Sequence, residues 1–256
     1  MRVITLDQIS LIGRGMFHGM TAFSEDYSSN CYLINGGTEL ALVDVGFATA
    51  VPRLLENVRS LGLDPSKIRK VFLSHAHDDH VAGIAELLRH VDATVYAHSL
   101  TKETLAGGTG IYRFGFRPVE QVRAPVHEVV KEGDTVRVGE VELNVIELPG
   151  HTPDGLGYLI SLPSGRSCFA GDTVDGDQPV KSGVTGWMNS VWGSRVSHLR
   201  SSLSRLLNMG LHAFFPGHGD PQIGQIAVRD SLEHALDQVH QLLAIRDLDW
   251  LIAIEV

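Results

Sequence analysis

The sequence predicts an α/β fold in which two mixed β-sheets pack face to face and helices cover their outer surfaces. Three observations carry this expectation. Short β-branched runs recur through both halves of the chain, each half closes on segments with apolar residues at helical spacing, and no linker or low-complexity tract divides the 256 residues. Residues 1–256 therefore read as a single domain, long enough for a sizeable buried core.

The elements follow in chain order. Val3 to Leu6 and Ile9 to Ile12 read as strands, then Asn30 to Asn35 and Glu39 to Asp44, the last two joined by a hairpin at Gly36-Gly37. Val51, Leu54, Leu55, Val58 and Leu61 share one helical face, and Gly62 stops that helix. Lys70 to Leu73 is a strand that runs straight into Ser74-His75-Ala76-His77-Asp78-Asp79-His80; one helix continues through Ile84, Leu87 and Leu88, and Thr94 to Ala97 returns as a strand. The second half offers strands at Val126 to Val130, Thr135 to Val138, Val141 to Leu148, Leu156 to Leu162 and Ser167 to Ala170. Strict alternation in Val141-Glu142-Leu143-Asn144-Val145 buries one face of its strand. Leu199, Leu203, Leu206 and Leu207 mark one later helix, and Val228, Leu232, Leu236, Val239 and Leu243 mark the last. The glycine-rich stretches Ala106 to Gly115 and Gly176 to Gly193 read as long loops.

Charge narrows the class of partner. A formal net charge of -9 without any cluster of Lys and Arg argues against a protein that tracks a nucleic-acid backbone or an anionic membrane surface. The first eight residues include Asp7 and Gln8 and lack the apolar core of a secretory signal, and no run approaches the length of a transmembrane helix. Cys31 and Cys168 each lie in an apolar strand-like run, so both are expected as buried free thiols, which favours a reducing, cytoplasmic setting.

Thirteen histidines are many for this length, and their positions matter more than their number. His75, His77, Asp79 and His80 fall where an apolar strand ends and a helix opens. On extended backbone His75 and His77, two apart, project to one side, whereas Asp79 and His80 enter the helix and point elsewhere, so one strand end can serve two ions. Three more donors follow the same local grammar. His151 comes after Leu148-Pro149-Gly150, Asp172 after Phe169-Ala170-Gly171, and His218 after Phe215-Pro216-Gly217. Each time an apolar strand ends, a glycine permits a tight bend, and a donor appears. A lone histidine in such a turn is usually a surface residue; the threefold recurrence marks His151, Asp172 and His218 as metal ligands with the first four.

In this order, together with Val43-Asp44-Val45-Gly46 after an early strand, the motifs resemble the metallo-β-lactamase superfamily over nearly the whole chain. The resemblance implies a four-layer αββα sandwich with the site along one edge of the two sheets. It implies a first ion on His75, His77 and His151, a second on Asp79, His80 and His218, and Asp172 bridging both. Asp44 would support the ligands from outside the coordination shell.

Imidazole and carboxylate donors without a thiolate suit two divalent ions, zinc foremost, and equally admit iron or manganese. Two such ions about 3.5–4 Å apart share a water, lower its pKa toward neutrality and make hydroxide available as a nucleophile. The reaction class is then hydrolysis, with Asp79 the catalytic residue that orients the nucleophile and passes its proton on.

The substrate is less legible, because relatives with this site cleave lactams, lactones, thioesters and phosphodiesters. Many zinc β-lactamases use a cysteine ligand or lack the bridging acid, so Asp172 points away from antibiotic hydrolysis. Hydroxyacylglutathione hydrolases append a longer helical region than the one helix found after His218, lactonases place a tyrosine where Thr173-Val174-Asp175 stands, and no basic arm for RNA is present. Met16, Phe17, His18, Met20, Phe23 and Tyr27, then Tyr112, Phe114 and Phe116 with Arg113 and Arg117 between them, then Trp187, Met188 and Trp192, fall on loops. They either wall an apolar substrate pocket or pack the loops and a homodimer contact. The reading is a small-molecule ester, lactone or thioester with an apolar acyl part; the alternatives are a mononuclear-iron persulfide dioxygenase-like oxidoreductase, a phosphodiesterase, or a binding protein that keeps metals without turnover.

Overall fold

The computed structural model describes residues 4–13, 28–107, 122–176, 188 and 193–244. Seven strands form a first sheet in sequence order: β1 (Ile4–Leu6), β2 (Ile9–Gly13), β3 (Cys31–Asn35), β4 (Leu40–Val43), β5 (Ile68–Phe72), β6 (Thr94–Ala97) and β7 (Glu128–Val129). Its first four strands are antiparallel neighbours, and from β4 onward the pairs are parallel. The second sheet runs β13-β12-β11-β10-β9-β8, with β8 (Thr135–Val138), β9 (Val141–Glu147), β10 (Leu156–Leu162), β11 (Gly165–Gly171), β12 (Ala213–Pro216) and β13 (Gln222–Ile223).

Three apolar layers hold four layers of secondary structure together. Strand alternation sends Tyr32, Ile34, Val43 and Phe72 of the first sheet inward against Leu143, Val145, Tyr158, Phe169 and Phe215 of the second. Their neighbours Leu33, Leu42 and Val71 face outward, where Val51, Leu54, Leu55 and Val58 of α1 (Val51–Ser60) cover them. On the far side Ile146, Leu159, Cys168 and Phe214 meet Leu199, Leu203 and Leu206 of α5 (Val196–Leu207) and Val228, Leu232 and Val239 of α6 (Gln225–Ala244). The order is helix, sheet, sheet, helix, as expected. Cys31 and Cys168 are buried free thiols, and burial pushes both pKa values up.

Local details depart from the sequence reading. The single helix expected after the histidine motif is two one-turn helices, α2 (Asp78–Val81) and α3 (Ile84–Leu87). Gly83 separates them: its N–H donates to Gly46 O at 2.7 Å, and a Cβ there would meet Val45 Cγ1 at 2.9 Å, so the chain turns against the Gly46 loop. The strand expected over Val126 to Val130 is ladder-paired only at Glu128 and Val129. A short helix α4 (Ser99–Leu105), capped by the His98 ring accepting from Leu100 N, and the two-residue β13 have no clear periodic signal. Among the described residues no helix is long and apolar enough to cross a membrane.

Two polar ties join the sheets where β5 ends. Leu156 N donates to Ser74 O at 2.8 Å, and the buried Tyr158 hydroxyl donates to Leu73 O at 2.6 Å. Tyr158→Phe leaves the Leu73 carbonyl buried without that donor and should cost about 1–3 kcal/mol. Urea unfolding checks this, with a lower midpoint at unchanged slope as the expected result.

Candidate metal centre

The site is built at the strand ends. After β5 the chain bends at Ser74, and His77, extended at φ -69 and ψ 143, is the residue that opens α2, so His75 and His77 lie before the helix and Asp79 and His80 within it. From the second sheet the turn after β9 brings His151, the end of β11 brings Asp172, and the end of β12 brings His218. All seven residues are buried. Their donor atoms form two groups, His75, His77, His151 and Asp172 in one and Asp79, His80 and His218 in the other, with the atoms of each group within 4.8 Å of one another.

In the first group the ring nitrogens converge. His77 Nδ1 lies 2.9 Å from His75 Nε2 and 2.9 Å from His151 Nε2. Burial, then the neighbouring imidazoles, hold His75 and His77 well below the usual histidine pKa, which favours their neutral forms. In the second group Asp79 Oδ2 is 3.1 Å from His218 Nε2 and 3.7 Å from His80 Nε2. Asp172 spans the two groups, with carboxylate oxygens 3.8 and 3.5 Å from His75 and His151 and 3.3 and 3.4 Å from His80 and His218.

Charge compensation runs between the groups. Burial alone would lower His80 and His218, yet Asp172 and Asp79 reverse the sign, raising His80 well above its ordinary value and His218 to about 10. The same contacts hold Asp172 well below the carboxylate range although its burial opposes the charge. Asp175, which the sequence reading did not single out, is buried nearby and pushed up to about 7 by burial, with His218 opposing the shift and Asp172 adding to it.

These residues fit divalent cations on two observations. Ring nitrogens of His75, His77 and His151 meet at 2.9 Å, close enough to serve as nitrogen donors to one cation, and Asp79 Oδ1 is buried without a hydrogen-bond partner among the described residues. The set contains only nitrogen and oxygen donors, which zinc, iron and manganese all accept.

The surrounding structure orients the donors. Asp44 sits at φ +56, a left-handed conformation that Asp tolerates better than most residues, and its carboxylate accepts from Ser74 N at 2.8 Å and Ser74 Oγ at 2.7 Å while lying 2.8 Å from His80 Nδ1. Ser74 Oγ is also 2.9 Å from His75 Nδ1, so one hydroxyl touches a ring of the first group and the carboxylate that holds a ring of the second. On the other sheet Ser202 Oγ of α5 donates to Pro149 O at 2.7 Å and Ser194 Oγ donates to His151 O, fixing the turn that carries His151.

The glycines before the three later donors do different jobs. Gly150 and Gly171 have φ of +149 and +51, conformations that a side chain disfavours. Gly217 is instead a matter of space, since a Cβ there would run into Asp172 Oδ1 and sit 2.7 Å from His80 Cε1. The aromatic loop positions Phe17, Tyr112, Phe114, Phe116, Trp187 and Trp192 lie outside the described residues. Met188, from the same set, is buried in the apolar layer beneath α5 and α6.

Residues 25–218 match the family model of the metallo-beta-lactamase superfamily, and the chain belongs to that superfamily. Among curated relatives it is 30% identical over 143 residues to a hydroxyacylglutathione hydrolase of Rhodopseudomonas palustris, a match covering 56% of this chain and 47% of that protein. It is 28% identical over 192 residues to an atrochrysone carboxyl ACP thioesterase of Aspergillus fumigatus, covering 75% of this chain and 50% of the relative. The chain thus spans about half the length of these relatives. Solved structures agree in fold: a metallo-beta-lactamase of Cronobacter sakazakii has a TM-score of 0.72 at 20% identity, covering 95% of this chain and 97% of its own. A subclass B3 enzyme of Bradyrhizobium japonicum also has a TM-score of 0.72 at 20% identity, covering 93% and 92%.

Two substitutions probe the support. Asp44→Asn keeps a residue that tolerates positive φ and removes the charge facing His80, so zinc affinity should fall about 10–100-fold with little loss of fold, as chelator competition would measure. Gly217→Ala should displace Asp172 and weaken zinc uptake by at least about tenfold. Normal uptake in that variant, by elemental analysis, would show that the loop yields.

Proposed function

We propose that the chain is a metal-dependent hydrolase acting on a small ester, lactone or thioester, with the thioester first. The placement of Asp172 carries this reading: one carboxylate lies 3.3–3.8 Å from imidazoles of both donor groups, the position of a ligand shared by two ions. His75, His77 and His151 would hold one ion, Asp79, His80 and His218 the other, with zinc the first candidate and iron or manganese next. When bound, such a pair supplies Lewis-acid polarisation of the scissile carbonyl and a nucleophile from water near neutral pH.

The chain's own groups set the remaining conditions. Asp79 keeps Oδ2 against His218 and presents Oδ1 without a hydrogen-bond partner among the described residues. One oxygen holds the side chain in place while the other can take a proton from the attacking water and deliver it to the leaving atom. Asp44 and Ser74 keep the His80 and His75 rings oriented through that transfer. The preference for a thioester is supported by relatives that are, by name, a hydroxyacylglutathione hydrolase and an ACP thioesterase.

The test is a panel of acyl thioesters, aryl esters, lactones, a phosphodiester and a β-lactam, offered to zinc-loaded protein. Thioesters should give the highest kcat/KM, a chelator should abolish turnover, and zinc should restore it. Asp79→Asn with its metal retained should lower kcat by about 10²–10⁴. A single bound iron together with oxygen uptake on adding a persulfide would replace the hydrolase reading by an oxidative one.

A further inference from the structure

His218 reaches the site on Pro216-Gly217-His218-Gly219, a turn with two glycines, one of them at φ +80, and so with little stiffness of its own. It comes from the second sheet, whereas Asp79 and His80 belong to α2 on the first. Something must hold the two sides in register for Asp79 Oδ2 and His218 Nε2 to meet at 3.1 Å.

Asn30, immediately before β3, makes that connection. Its buried Nδ2 donates to Pro216 O at 2.9 Å and Gly219 O at 2.7 Å, the carbonyls on either side of His218. Its backbone N–H donates to Gly217 O at 2.6 Å, and the N–H of the preceding Ser29 donates to Asp79 O at 3.0 Å. Tyr32 stands beside it: its hydroxyl accepts from Asn30 Nδ2 at 3.1 Å and donates to Pro216 O at 2.7 Å, and its ring lies 5.4 Å from Phe215 and 5.5 Å from Phe169. Two consecutive residues thus grip the backbone of Asp79 and of the His218 turn together.

We propose that Asn30, assisted by Tyr32, is the positioning residue of the second donor group, setting affinity for the second ion without touching it. The inference rests on the two-ion reading of the site. An amide suits the task because it donates to two carbonyls while adding no charge beside buried carboxylates. An aspartate of the same shape would aim oxygens at the Pro216 and Gly219 carbonyls. Of the first donor group only Asp172, shared with the second, lies against this turn; His75 and His77 precede α2, and the turn that carries His151 is held by Ser194 and by Ser202 of α5.

Metal-free protein titrated with zinc against a chromophoric chelator, and in parallel with cobalt followed by its visible absorption, reads the two binding steps separately. Wild type should take two ions. Asn30→Asp should hold the tight step within about twofold and weaken the second about 10–100-fold, with loss of the second increment of cobalt absorption. Tyr32→Phe, which spares the Asn30 bonds to Pro216 and Gly219, should weaken the second step by less than about tenfold. Equal weakening of both steps, or no change in either, would overturn the proposal. If Asn30→Asp does not fold, Tyr32→Phe decides: a selective loss at the second step supports the grip and an unchanged second step removes it. Wild type binding fewer than two ions would fail the two-ion reading itself, and the role of Asn30 would fall with it.

Discussion

Seven ionisable side chains are buried together at one edge of this sandwich, and the tolerability of that burial is the constraint on which the site depends. An isolated buried carboxylate or imidazolium would be neutralised by a large pKa shift. Here each carboxylate faces imidazoles: Asp172 lies among His75, His80, His151 and His218, and Asp79 lies between His80 and His218. Asp172 and Asp79 raise the pKa of His80 and His218, while burial and neighbouring rings lower that of His75 and His77. A centre of this kind is poised for cations, since the lone pairs and carboxylate oxygens are already out of water and facing one another.

Such poise needs a stiff surround, and the polar ties across the sheets supply it. Leu156 to Ser74, Tyr158 to Leu73, and Asn30 to Pro216 and Gly219 all cross from one sheet to the other beside the donors. Apolar packing between the sheets sets their distance but is non-directional; hydrogen bonds to strand-end carbonyls fix their relative register. The donors are divided between the two sheets, so a slip of one sheet along the other would separate Asp79 from His218 before it disturbed the core.

Asp44 and Gly217 illustrate two ways in which local backbone serves the centre. Asp44 holds a left-handed conformation that turns its carboxylate back onto Ser74 and His80. Gly217 allows Asp172 and His80 to approach the backbone of the His218 turn more closely than any side chain would permit. Each is a local cost in conformational freedom, sustained by the contacts around it.

Much of this was legible in the amino-acid order. Period-two and helical spacings placed most strands and helices, because burial on one face dictates residue type along each element. The seven donors were visible because polar side chains abruptly follow apolar strands, a contrast local in sequence. What escaped was whatever depends on partners distant in the chain. The break between α2 and α3 comes from Gly83 meeting the Gly46 loop, and Ser74, Asn30 and Tyr32 look like ordinary strand-end polar residues until the second sheet lies against them. Sequence by itself determined the elements and the chemistry of the donors, since both are written in local residue type. Only the tertiary structure decided which side chains hold the donors in place, because those relations are set by the register of two sheets whose strands meet from opposite ends of the chain.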